Sequence, residues 1–177
     1  MIDYRIVSLD IYTEKIGELV SMLEHTREVT LNEISKLSQM ELDYLADENS
    51  NTIAALLWHI ASIEFVHQVI SNENRDLTES EYKKWHVPLA LGTKARQQIK
   101  NQPIEYYLAE LQHIRRNTLT LLKTKQDSWL SEEHQWENGV SYNNHYLWFH
   151  VMEDEISHRG QIRMLMQRMK NCTQFNN

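Results

Sequence analysis

The chain has 177 residues with only 4 Gly and 2 Pro, where average usage is about 7% and 5%, so the short-turn architectures (sandwiches, barrels) and the glycine-rich phosphate loops are excluded. Lys and Arg number 18 against 25 Asp and Glu, a net charge of −7. No basic run exceeds a pair, which excludes nucleic-acid binding through an electrostatic face.

The length suits one domain, residues 1–177, large enough to bury a core without disulfides. The single Cys, Cys172, stands in the polar tail NCTQFNN, so no internal disulfide framework exists and a cytoplasmic setting is expected. The longest apolar run is Ile53 to Trp58, and the opening MIDYRIVSLD carries acids where a leader would carry bases. Neither export nor membrane insertion is expected.

Four segments repeat apolar residues at three- and four-residue steps, which predicts an all-α four-helix bundle. The first helix runs over about 11–37, with Leu19, Leu23, Thr26, Thr30, Ile34 and Leu37 on its stripe. The second covers about 51–72; Asn49, Ser50 or Asn51 supplies its N-cap oxygen, and Ile53, Leu56, Leu57, Ile60, Ile63, Val66 and Ile70 form its apolar face. The third, about 104–125, starts after Pro103 and carries Tyr107, Leu111, Ile114 and Leu122. The fourth covers about 143–170. The short link between the first two helices predicts antiparallel neighbours. A longer crossover, holding Pro88 and Gly92, separates the second from the third. The loop before the last helix contains Trp129 and Trp136, which implies packing.

In the fourth helix the core stripe reads Leu147, Val151, Asp154, His158, Ile162, Leu165, Met169, so a carboxylate and an imidazole replace two apolar side chains. A buried carboxylate needs a partner or a wet cavity. Residues i and i+4 lie one turn apart on one face, within reach of a common ion. His150 continues that column one turn earlier. The second helix offers His59 at the margin of its apolar face and His67 about 12 Å further along, too far to share one ion with it. A site of His59, Asp154 and His158, or alternatively of His59, His150 and Asp154, has two imidazoles and one carboxylate with positions left open, the pattern of a reactive site. The simpler expectation is that His and Asp hydrogen-bond each other and do no chemistry. His67 is expected as a satisfied core histidine or a donor beside the site, and Glu153 and Glu155 as a solvated edge. His25, His86, His113, His134 and His145 are expected in solvent or loops.

Glu-x-x-His also occurs at Glu64–His67, Glu110–His113 and Glu155–His158. Two such pairs with two further inward glutamates would build a dinuclear carboxylate site. The first helix lacks them, because Glu14, Glu18, Glu24, Glu28 and Glu33 fall mainly off its stripe.

The stretch HVMEDEISHRGQI, with His158, Arg159, Gly160 and Gln161, resembles the C-terminal helix of the DinB/YfiT-like superfamily. TREVTLNEISKLSQMELDYL resembles that family's first helix and turn, and NTIAALLWHIASIE its second helix with the metal histidine. The resemblance spans nearly the whole chain in order. It implies metal ligands at His59, Asp154 and His158, with Asp154 at a place where many members have His. It also implies a divalent ion (zinc, nickel, iron or manganese), a small-molecule substrate, a homodimer, and transfer of a low-molecular-weight thiol such as bacillithiol. The neighbouring expectation is a metal-dependent hydrolase, and that of another class a non-catalytic stress or interaction protein. Arg159 and Gln161 are expected to orient the site or the fourth helix, Gly160 to permit close helix approach, and His150 and His67 to line the pocket.

Overall fold

In a computed structural model the backbone of residues 2–174 and the side chains of residues 2–171 are described, so the Cys172 side chain lies outside the described residues. The elements are α1 (Glu14–Ile34), α2 (Gln39–Leu42), α3 (Ile53–Glu73), α4 (Glu79–Ala90), α5 (Gly92–Gln98), α6 (Ile104–Leu122), a 3-10 turn (Asp127–Ser131), strands β1 (Glu133–Gln135) and β2 (Ser141–Asn143), and α7 (Asn144–Gln174). The four long helices α1, α3, α6 and α7 form the bundle, and the fold is all-α apart from one small hairpin.

Helix starts follow from where the first backbone N–H groups find acceptors. In α1 the acceptor is distant: Asp127 Oδ1 takes Lys15 N at 3.0 Å, Ile16 N at 3.2 Å and the Thr13 hydroxyl at 2.5 Å. In α3 the cap is Thr52, whose Oγ1 accepts from Ala55 N at 3.1 Å, and not the preceding Asn49, Ser50 or Asn51. Asn51 instead accepts from Gly92 N at 3.1 Å and so holds the crossover. Asn143 Oδ1 accepts from Tyr146 N at 2.8 Å and opens α7.

The expectation that the first two long helices are neighbours is overturned. α3 packs on α6 and α7, and α1 packs on the same two helices from the other side, so α1 and α3 stand diagonally. The link between them contains α2, with its own capping box from Ser38 and Glu41, and is long enough to cross the bundle end. The crossover holds α4 and α5. α4 lays Trp85, 1% exposed, against the rings of Phe65 and Trp58 at 5.1 and 5.7 Å. Walled by α4, α6 and α7, α3 is buried all round over Ile53–Leu57. By length and composition α3 could cross a membrane, but 67% of its most apolar window is buried inside the bundle, the position of a core helix. Trp129 is buried, whereas Trp136 lies at the surface, stacked on Tyr142 across the hairpin at 3.9 Å.

Four charged residues, one per long helix, meet inside the bundle. Arg27 of α1 contacts Glu155 of α7 at 3.0 Å and Glu64 of α3 at 2.7 Å, and Arg115 of α6 contacts Glu64 at 2.7 Å. Thr118 Oγ1 adds a 2.5 Å bond to Glu64. Arg27 also donates to the Leu111 carbonyl and Arg115 to that of Leu23, tying together the two apolar clusters of the core. Two positive and two negative groups cancel, and their hydrogen bonds offset the cost of desolvation. Glu155 is therefore not a solvated edge but 1% exposed.

Candidate metal centre

His59 of α3 and Asp154 and His158 of α7 come together in the structure, each offering an atom within 4.8 Å of the others. Asp154 Oδ1 lies 3.4 Å from His59 Nε2 and 3.3 Å from His158 Nε2. The two rings meet edge to face, 4.7 Å apart.

Each imidazole is oriented from its far side. His59 Nδ1 lies 2.8 Å from the Pro88 carbonyl, which can only accept, so Nδ1 carries the proton and Nε2 presents its lone pair. Pro88 sits in the last turn of α4, where its carbonyl takes only a long 3.3 Å bond from the cap residue Leu91 N and keeps a lone pair for His59. His158 Nδ1 faces Gln161 Oε1 at 3.3 Å, which leaves its Nε2 toward Asp154. Two nitrogen lone pairs and a carboxylate oxygen thus converge. Acceptors repel one another unless a cation lies among them, either a proton on an imidazole or a metal ion. Asp154 behaves accordingly: burial favours its neutral form, but hydrogen bonds from His158 and His59 outweigh that and hold its carboxyl well below the usual range. His158 shifts upward, because its bond to Asp154 outweighs burial.

The donor set is compatible with a transition-metal ion. Asp154 Oδ2 is buried without a hydrogen-bond partner among the described residues, an orphan that a cation would satisfy. Ligand atoms about 2.1 Å from a tetrahedral ion stand about 3.4 Å apart, close to both carboxylate–imidazole separations.

The other candidates fall elsewhere. His150 is not in the cluster; its ring lies 5.3 Å from that of His67, and its Nδ1 faces Glu153 at 3.4 Å. His67 is buried, and its Nδ1 donates to the Ile63 carbonyl at 2.7 Å. Arg159 donates to the Thr26 carbonyl at 2.9 Å, so it fixes α7 on α1, while Gln161 alone of the two touches a ligand candidate. Gly160 permits no close approach, since a Cβ there would meet nothing within 4 Å. Glu64 and Glu155 are inward, as a dinuclear carboxylate site needs, but their oxygens are taken by Arg27 and Arg115. Glu110 of the third pair faces Lys84 at 2.9 Å.

The model of the family described as mycothiol-S-transferase matches residues 18–170. No curated protein matches the chain. Among solved structures, a conserved protein from Enterococcus faecalis superposes with a TM-score of 0.65 at 15% identity, covering 85% of this chain and 94% of that one, a likeness of fold alone. Since the matched span takes in both helices that carry His59, Asp154 and His158, the chain belongs to the mycothiol-S-transferase family of DinB/YfiT-like proteins.

Proposed function

We propose that the protein is a metal-dependent S-transferase that joins a low-molecular-weight thiol, mycothiol or bacillithiol, to a small electrophile. The observation that carries this reading is the convergence of His59 Nε2, His158 Nε2 and the Asp154 carboxylate around an unsatisfied oxygen. Three protein ligands leave coordination positions open, as catalytic sites do and structural ones do not. Zinc, nickel, iron and manganese all accept two imidazoles and a carboxylate. Such an ion, when bound, supplies the positive charge that lowers the pKa of a thiol.

The chain's own residues hold the ion and manage the proton. Pro88 and Gln161 keep both Nε2 atoms turned inward. His150, one turn before Asp154 on α7 and half-buried against His67, would carry the thiol proton to solvent. Sulfur then forms the bond to the electrophilic carbon, and the leaving group departs with the electron pair of the bond that breaks.

The test is conjugation of mycothiol and of bacillithiol to a chlorodinitrobenzene by metal-loaded protein. Turnover that requires the thiol and falls at least a hundredfold in Asp154→Ala is expected. A metal-loaded protein without thiol-dependent turnover contradicts the transferase reading, and thiol-independent ester or amide cleavage would identify a hydrolase instead.

A further inference from the structure

The crossover helices, with α3 and α6, border an open cavity of about 230 Å³, whose wall includes Trp58, Lys83, Pro88, Lys100, Tyr106 and Tyr107. Its chemistry is unlike that of the chain as a whole. No Asp or Glu lines it, although the chain carries −7. Lys83 and Lys100 stand at its edge and join no ion pair among the described residues; the third lysine, Lys84, is already paired with Glu110 at 2.9 Å. Trp58 and Tyr106, both lining the cavity, stack on each other, 9° from parallel with centroids separated by 5.9 Å.

Two side chains of that wall also carry buried donors. Trp58 Nε1 and the Tyr107 hydroxyl are both buried without a hydrogen-bond partner among the described residues, and Tyr107 is 1% exposed. The Tyr107 hydroxyl lies within the field of Asp43, whose Oδ1 is likewise buried without a hydrogen-bond partner among the described residues. The size is also informative. An apolar cavity of about 150 Å³ takes a benzene ring, and this one has room for a ring bearing an acidic group.

We propose that this cavity binds a small organic anion, a planar ring carrying a carboxylate or phosphate, with the ring against Trp58 and Tyr106 and the acidic group held by Lys83 and Lys100. The site stands apart from the metal triad and its argument does not use a metal. The two are nonetheless joined by one residue, since Pro88 lines the cavity and holds His59 through its carbonyl.

Phenyl phosphate and benzoate are titrated into the full chain by calorimetry, with benzyl alcohol as the neutral isostere and inorganic phosphate as the ringless one. Nitrogen-labelled indole resonances are followed in parallel, that of Trp58 being the signal missing in Trp58→Phe. Saturable binding of a ring-bearing anion is expected, moving the Trp58 indole signal and weakening roughly tenfold in Lys83→Ala or Lys100→Ala, surface changes that leave the core intact. Equal binding of benzyl alcohol, unchanged affinity in both lysine variants, or no saturable binding by either anion overturns the proposal. These outcomes are read with or without added metal, so the metal reading stands or falls separately.

Discussion

Single side chains here are governed by which of their two polar ends is already occupied. His59 and His67 lie on the same helix and both donate Nδ1–H to a backbone carbonyl, yet only the Nε2 of His59 faces a carboxylate. Burial holds His67 neutral, with its pKa lowered from 6.5 to about 4. The unfolded chain therefore takes up a proton near pH 6.5 that the folded chain refuses until about 4. Stability contributed by this residue is full above pH 6.5 and falls as the pH drops toward 4, by up to ~3 kcal/mol. Urea unfolding at pH 7 and pH 5 should show that loss in the wild type and a smaller one in His67→Gln; equal losses would contradict the assignment. The window lies above that of Glu64, which Arg115 and Arg27, against the opposing effect of burial, hold down at about 2. Asp154 and His158 were legible in the sequence because polar residues interrupting an apolar stripe must be satisfied by something. Their support was not: the Pro88 carbonyl comes from a helix 29 residues away from His59, and a backbone acceptor leaves no trace in residue identity.

At the scale of elements, the long helices could be read from periodicity, while their ends were set by acceptors outside the helix. α1 starts later than its apolar pattern because Asp127 supplies the first acceptor. The glycines also separate by packing and not by position. Gly17, inside α1, lies under the chain segment that precedes the helix, and a Cβ there would meet the Ser8 hydroxyl and come within 2.8 Å of Leu9 N. Gly160, inside α7, has open space. Gly17→Ala should destabilise the protein through that clash, whereas Gly160→Ala should stabilise it by up to about 1 kcal/mol, the helix-propensity difference. Thermal unfolding of the two variants checks this; the same sign for both would contradict the packing described. The diagonal placement of α1 and α3 was not legible, since a link with its own helical turn reads from sequence as a short connection.

For the whole molecule the decisive feature is one ionised residue from each long helix meeting at the centre. Each stands four residues after an apolar core position: Leu23 and Arg27, Ile60 and Glu64, Leu111 and Arg115, Val151 and Glu155. That spacing was the available signal: like Asp154 and His158, these are polar residues set at helical spacing among apolar core positions. Glu64→Ala leaves two buried guanidinium groups with too little negative charge and should cost about 3–5 kcal/mol in chemical denaturation; a cost below about 1 kcal/mol would show that the cluster is not held as described. This ionic centre binds the helices together and leaves His59, Asp154 and His158 as the place where α3 and α7 meet around a buried carboxylate oxygen without a hydrogen-bond partner among the described residues. The most direct test is the metal content of protein purified without chelator or histidine tag and, if needed, reconstituted with zinc, nickel, iron or manganese. About one ion per chain is expected, lost in Asp154→Ala and in His158→Ala while both variants keep their helical circular dichroism. A wild type that stays metal-free after reconstitution, or variants that retain the ion, would contradict the account.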